Sequence, residues 1–123
     1  MKKITCLFLI LISMISKGQN NINLVPLPAE IKPGKGNFTI NRNTQIILEG
    51  SGLELTANFL NDHLKNMVGF SLPITKTATN SSKIVLNYER IDYKFPGAYT
   101  MEVNDKEIYI AGDNKAGVFY TCL

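Results

Sequence analysis

Residues 98–123 read AYTMEVNDKEIYIAGDNKAGVFYTCL, and this stretch decides the fold. Apolar and polar residues alternate twice, first over 99–103 and again over 107–111. Period-two alternation in two successive runs is typical of a half-buried antiparallel pair of strands. The intervening residues 104–106, Asn-Asp-Lys, suit a tight turn because Asn and Asp bond locally to the backbone. The stretch therefore predicts a β-hairpin.

A helix is predicted directly after the hairpin. Gly112 breaks the second strand, and Asp113 or Asn114 can cap a helix by accepting its unsatisfied N–H groups. The helix beginning at Lys115 has run only a few residues by Leu123. So short a helix is not typical of a natural domain ending, because few turns gain little stability alone. The sequence predicts the front piece of a longer polypeptide.

The preceding residues predict one full helix among short strands. Apolar residues recur at three- and four-residue steps from Leu53 to Val68, between a candidate N-cap at Ser51 and a candidate C-cap at Gly69. Pro73 favours an edge position for the strand that contains it, and the strand 83–88 is apolar enough to be central. The predicted strands before the hairpin are 37–40, 45–49, 70–75 and 83–88.

These elements predict an α+β fold. The sheet is expected to be antiparallel or mixed, with the full helix and the truncated C-terminal helix packed on one face. The predicted buried stripe of the full helix is Leu53, Ala57, Leu60, Leu64, Met67 and Val68.

Residues 1–18 predict a secretory signal peptide. A basic start is followed by an apolar run over 4–15 and then by small residues before Gln19. The run is shorter than the ~20 residues that a bilayer span needs. We therefore expect export to the periplasm or outside the cell, a mature domain over 19–123, and no membrane span after cleavage. An uncleaved anchor is the alternative.

The charge balance argues against a nucleic-acid partner. The chain has 13 Lys and Arg residues and 10 Asp and Glu residues, and three of the basic ones lie in the predicted leader. The mature part then carries ten charges of each sign. A nucleic-acid-binding domain would show an excess of basic residues on its folded part.

Cysteine and histidine are too few for a metal centre. Cys6 lies in the leader, so the mature part keeps only Cys122, for which a small buried hydrophobe is the expected role. His63 is the only histidine and is expected on the surface of the full helix. One histidine offers too few ligands for zinc. No metal and no cofactor are predicted.

No catalytic residue is predicted either. Glycosidases commonly use two converging carboxylates, but each carboxylate here falls in a turn, on the polar side of a strand or on the outer side of the helix. Aromatic residues near the hairpin could form a sugar-stacking patch, with core packing as the alternative. Those aromatic residues are Tyr88, Tyr93, Phe95 and Tyr99. The carboxylates are Glu30, Glu49, Glu54, Asp62, Glu89, Asp92, Glu102, Asp105, Glu107 and Asp113.

Three motifs resemble one family. They are Pro26-x-Pro28 with a turn glycine and Phe38, the hairpin pattern Tyr99-x-Met101-x-Val103, and the segment AGDNKAGVFY over 111–120. Their order and spacing resemble the N-terminal accessory domain of glycoside hydrolase family 20, the β-N-acetylhexosaminidases. The resemblance covers nearly all of the mature chain.

The resemblance implies a function for a longer parent. It implies an antiparallel sheet covered on one face by helices, followed by a (β/α)₈ catalytic barrel that hydrolyses terminal β-linked N-acetylhexosamines. In that barrel an Asp–Glu pair works with the substrate's own acetamido group. A barrel needs roughly 250 residues, so none of that machinery fits in this chain. The alternative is a stand-alone carbohydrate-binding or scaffold module, for which Tyr93 and Tyr99 are the test positions.

Overall fold

The computed structural model describes residues 28–89 and 96–123. Within them the chain forms an α+β fold, a mixed five-stranded sheet with two helices. The elements are β1 (Gln45–Glu49), α1 (Glu54–Val68), β2 (Ile74–Thr75), β3 (Lys83–Tyr88), β4 (Tyr99–Val103), β5 (Glu107–Gly112) and α2 (Lys115–Thr121).

The sheet has the strand order β2-β1-β3-β5-β4. As predicted, β3 is central, and β2, which follows Pro73, lies at an edge. Only β4 and β5 pair antiparallel, whereas β1 pairs parallel with both β2 and β3, and β3 pairs parallel with β5. The family resemblance implied an antiparallel sheet, and this is wrong for three of the four strand pairs. The crossover through α1 returns the chain to the edge where β1 began, which makes the next strands parallel.

The hairpin of β4 and β5 forms as predicted. The Asn104 N–H donates to Glu107 O at 3.0 Å. The side-chain oxygen of Asn104 accepts hydrogen bonds from the backbone N–H groups of Lys106 and Glu107, each at 2.9 Å. This local bonding closes the turn, because an Asn side chain can replace a backbone acceptor.

The core lies between the two helices and one face of the sheet. In the ladder, Ile46 of β1 is level with Ile84 of β3, which is level with Ile108 of β5. Helix α1 covers β1, while α2 covers β3, β4 and β5. Both helices therefore pack on one face, as predicted. The buried core residues are Ile46, Leu48, Leu53, Ala57, Leu64, Leu72, Ile84, Leu86, Ile110, Val118 and Cys122.

The ends of α1 agree only in part with the prediction. Gly69 closes the helix in the left-handed conformation, with φ 82°, and donates its N–H to Lys65 O. The N-cap residue is Leu53, and no side chain caps this end, so the Ser51 capping box is wrong. Met67 was predicted to be buried, yet it is 71% exposed.

The strand predicted at 37–40 is absent from the structure. The segment has alternating side chains, and Phe38 and Ile40 are half-buried against the core. Alternation alone does not make a strand, because a strand needs a neighbour for its backbone hydrogen bonds. This segment has no partner in the ladder of β1–β5, which is complete without it.

One side chain fixes the approach to β2. Asn61 of α1 donates its amide N–H to Leu72 O at 2.9 Å and accepts the Leu72 N–H at 2.7 Å. The side-chain amide thus satisfies both backbone groups of a buried residue. It holds the extended segment against the helix one residue before Pro73, whose carbonyl accepts the Ile46 N–H.

The predicted signal peptide lies outside the described residues. Neither α1 nor α2, the helices of residues 28–89 and 96–123, has the length and apolarity to cross a bilayer.

Candidate functional site

The predicted carboxylates do not converge in the part of the chain that the structure describes. Asp92 lies outside it. Glu107 pairs with Lys83 across neighbouring parallel strands, at 3.1 Å from Oε2 to Nζ. Both oxygens of Asp113 accept the Gly97 N–H, at 2.9 and 3.1 Å. The other carboxylates are exposed, namely Glu30, Glu49, Glu54, Asp62, Glu89, Glu102 and Asp105.

A shallow polar groove of about 330 Å³ lies at the edge where β3 and β5 begin. Its single carboxylate, Glu107, is already paired with Lys83. A glycosidase of the usual kind needs a second carboxyl group on the opposite side of the bond to be cleaved. The described lining of the groove thus holds one carboxylate, not the pair that such a glycosidase uses. Its lining residues are Asn80, Ser81, Lys83, Asn104, Lys106 and Glu107.

The predicted aromatic patch is seen only in part. Tyr88 is exposed at the end of β3, and Tyr99 is half-buried in β4. Tyr93 and Phe95 lie outside the described residues. The sugar-stacking patch therefore stays a prediction.

His63 and Cys122 lie where the sequence placed them. His63 is exposed on α1. Cys122 is buried, and burial raises the pKa of its thiol to about 11. A thiol with so high a pKa is neutral and unreactive near pH 7. The described ranges contain no group of three or more His, Cys, Asp or Glu side chains placed to hold a metal ion.

The segment AGDNKAGVFY, the most specific of the three motifs, builds the joint between β5 and α2. A Cβ on Gly112 would lie 2.7 Å from Val118 Cγ2, and a Cβ on Gly117 would lie 2.5 Å from Ala98 O. Asn114 is the N-cap, and its side-chain oxygen accepts the Gly117 N–H at 2.8 Å. Of the two predicted caps Asn114 is right, while Asp113 binds Gly97 instead. In the described residues the motif therefore has a structural role, since it sets the close approach of α2 to β5 and caps α2.

Replacing Asn114 by alanine should lower the free energy of unfolding by about 1 kcal/mol, because the first turn of α2 loses its side-chain acceptor. Urea unfolding measures the change. Asn114→Asp keeps the acceptor and should retain most of the stability. Asn37→Ala, in an exposed loop, is the matched control and should change little. Equal effects of the two alanine variants would contradict the capping role.

Helices α1 and α2 carry an apolar surface on the side away from the sheet. Each follows a strand of the parallel set β1, β3 and β5, and the two helices contact each other. The rings of Phe59 and Phe119 meet between them, with centroids 5.0 Å apart. Leu55, one turn before Phe59, is 85% exposed. We define this helical surface as Leu55, Phe59, Phe119, Tyr120 and Leu123.

Few charges border this helical surface. In α2 the single charged residue is Lys115. Of the charged residues of α1, Asp62 comes three residues after Phe59 and shares this face, whereas Glu54 and Lys65 lie to one side of it. Grouped exposed apolar side chains with a polar rim mark an interaction site more often than single ones do. A docking surface is thus the functional feature that the described residues support.

The sequence analysis missed this surface because it assigned α1 only one apolar stripe. Leu55 and Phe59 are four residues apart, so they share a face that differs from the stripe of Leu53, Ala57 and Leu64. That i, i+4 spacing was the available signal. In α2, Val118 is fully buried, whereas Leu123, just after the helix, is 60% exposed.

Comparison with protein families settles the relationship. Residues 21–122 match the model of glycosyl hydrolase family 20, domain 2. The chain belongs to this family. The resemblance seen in the three motifs is therefore confirmed. None of the curated proteins matches the chain.

Solved structures of family 20 proteins share the fold. The β-N-acetylhexosaminidase of Streptomyces coelicolor A3(2) has a TM-score of 0.62 and 24% identity over 80% of this chain. An inactive mutant of the exo-β-N-acetylglucosaminidase of Vibrio harveyi has a TM-score of 0.63 and 22% identity over 80% of this chain. This family 20 chain spans only 20% and 15% of those two proteins.

Proposed function

We propose that the chain is the non-catalytic N-terminal accessory domain of an exported β-N-acetylhexosaminidase. The match to domain 2 of the family over residues 21–122 carries the proposal. The two solved proteins that share its fold are a β-N-acetylhexosaminidase and an exo-β-N-acetylglucosaminidase, each several times longer than the matched part. The signal-peptide pattern of residues 1–18 supports export.

The parent enzyme would hydrolyse terminal β-linked N-acetylhexosamines with retention of configuration. In the substrate-assisted route the acetamido group of the sugar is the nucleophile, and an Asp–Glu pair assists it. These groups would come from a downstream (β/α)₈ domain. The proposal assigns no step of the reaction to residues 28–89 and 96–123, whose carboxylates are exposed, paired with Lys83 or bound to Gly97.

The helical surface gives the domain its role in that parent. Burial of a large apolar side chain contributes about 1.5–3 kcal/mol relative to exposure. Leu55, Tyr120 and Leu123 are exposed here and would gain this energy against the catalytic domain. The accessory domain would then act as a support that stabilises the catalytic domain.

The isolated chain is expected to show no hydrolysis of a chromogenic N-acetyl-β-glucosaminide. The measurement is release of the chromophore by the purified chain. Turnover that follows the protein through successive purification steps would overturn the non-catalytic assignment. The nucleotide sequence after the Leu123 codon tests the parent directly, because the proposal requires a reading frame that encodes a barrel.

The docking role is tested with Leu55→Lys made both in the chain and in the parent. Leu55 is so exposed that the variant should leave the melting temperature of the chain unchanged. In the parent the lysine would be buried at the interface, so the melting temperature of the catalytic activity should fall. Asn37→Lys, in an exposed loop outside the two helices, is the matched control and should have no effect in either protein. Equal melting temperatures for all the parent proteins would refute docking through this surface.

A further inference from the structure

Asp62 lies on the outward side of α1, in line with two residues of the helical surface. Leu55, Phe59 and Asp62 follow one another at four- and three-residue steps, so they form one stripe along the helix. The core residue Leu64 comes about two and a half turns after Leu55 and therefore points the opposite way. All three side chains of the stripe are exposed. The outward side of α1 thus presents a carboxylate beside apolar side chains.

Asp62 has no partner of opposite charge within residues 28–89 and 96–123. The two ion pairs in these ranges are formed by other residues. Lys65 is three residues after Asp62, a spacing that allows contact on a helix, yet the two side chains form no ion pair. While Asp62 is exposed, water solvates its charge and no partner is required.

Docking would change these surroundings. In the proposed function, on which this inference rests, the catalytic domain covers the helical surface. The match to domain 2 of the family, and the small part of the two solved proteins that this chain spans, favour that domain as the occupant. A surface that covers Leu55 and Phe59 also reaches Asp62, which is one turn further along the same stripe. Burying an unpaired carboxylate costs more free energy than an apolar contact contributes.

We propose that Asp62 pairs with a lysine or arginine of the catalytic domain when the helical surface docks. The cation would offset the cost of removing the carboxylate from water. It would also orient the two domains. Apolar contacts at Leu55 and Phe59 are non-directional, whereas a pair of opposite charges favours one register of the interface.

Charge variants of Asp62 in the parent test the pair, with thermal inactivation of the hexosaminidase activity as the measurement. Asp62→Asn keeps the shape of the side chain but leaves the opposing cation unpaired, so the melting temperature should fall by ~5 °C. Asp62→Lys should lower it further, because two like charges would face each other. In the isolated chain Asp62 is exposed, so both variants should change the melting temperature by no more than ~1 °C.

Glu102→Lys is the matched control for Asp62→Lys, since it makes the same change of charge at an exposed position. The ladder partner of Glu102 is Tyr109, which precedes the core residue Ile110, so the Glu102 side chain points away from the helices. This control should leave the melting temperature of the parent unchanged. Lys65→Ala should also leave it unchanged, which excludes rotation of Lys65 toward Asp62 as the source of the positive charge.

The outcomes separate this inference from docking itself. If Leu55→Lys lowers the melting temperature of the parent but the Asp62 variants lower it no more than Glu102→Lys does, docking stands and the charge pair is refuted. The pair is also refuted if Lys65→Ala matches Asp62→Asn, or if Asp62→Leu stabilises the parent, since the carboxylate would then face an apolar surface.

Two further results would overturn the inference together with the proposed function. One is a parent in which neither Leu55→Lys nor any Asp62 variant changes the melting temperature. The other is a reading frame that encodes no catalytic domain after the Leu123 codon.

Discussion

Replacing Leu86 by alanine should lower the free energy of unfolding by about 2–5 kcal/mol. Leu86 is fully buried in the central strand β3, level with Leu48 and Ile110 of the neighbouring strands and beneath the helices. Three strands and the helix layer therefore border the cavity that the substitution leaves. Close packing on every side limits the relaxation that would refill it.

The matched control for Leu86 is Leu55→Ala, which makes the same chemical change at an exposed position. The control should leave the urea midpoint of the isolated chain almost unchanged. Because a domain of this size is stable by only about 5–15 kcal/mol, the Leu86 variant should be partly unfolded at physiological temperature. Similar midpoints for the two variants would show that β3 is not the centre of the core.

Replacing Gly117 by alanine should lower the free energy of unfolding by about 1–3 kcal/mol. The new Cβ would lie 2.5 Å from Ala98 O and 3.2 Å from Gly97 O, so α2 would have to move away from the start of β4. The Ala98 carbonyl also accepts the Asp113 N–H, which ties it in place. Both contacts are to backbone, which cannot rotate away as a side chain can.

Helix propensity alone predicts that Gly117→Ala raises the free energy of unfolding. The measured sign therefore decides between the two effects. Alanine in a helix interior is favoured over glycine by about 1 kcal/mol. A stabilised Gly117→Ala variant would therefore mean that the close approach of α2 to residues 97–98 does not constrain the joint. Gly34→Ala is the matched control, since among the described residues none beyond its chain neighbours lies within 4 Å of the position that its Cβ would take. It should change the free energy of unfolding little.

Local patterns predicted the elements that depend on local physics. Alternation and the Asn104 turn predicted the hairpin, and its hydrogen bonds confirm it. The run of apolar residues over 83–88 predicted a central strand, because only a strand covered on both faces can be so apolar. Gly69 predicted the end of α1, since the left-handed conformation is easiest for glycine.

Strand direction could not be predicted in this way. A parallel and an antiparallel strand share the same alternation, so nothing in 45–49 or 83–88 distinguishes them. The direction follows from the crossover that α1 makes, which is a property of the whole fold. The strand predicted at 37–40 failed for a related reason, because its alternation places Phe38 and Ile40 against the core without a ladder partner.

The helical surface was not predicted, because the sequence analysis considered only the apolar residues of α1 that face the core. The stripe of Leu53, Ala57 and Leu64 packs into the core, and one such stripe is all that a helix covering a sheet requires. The contact between Phe59 and Phe119 joins two helices that are about 50 residues apart in sequence. A contact of that kind becomes visible only when the sheet places β1 and β5 on either side of β3. The helical surface therefore became visible only in the structure.

The connection from β3 to β4 is held at both of its ends by the same short stretch of chain. Glu89 donates its N–H to Gly112 O at 3.0 Å, and Gly97 donates to the adjacent Asp113. Entry and exit are thus fixed by residues that belong to the joint, whatever lies between positions 89 and 97. Replacing or lengthening the intervening residues is therefore expected to leave the register of β4 on β5 unchanged, which makes this connection a suitable place for an engineered insertion.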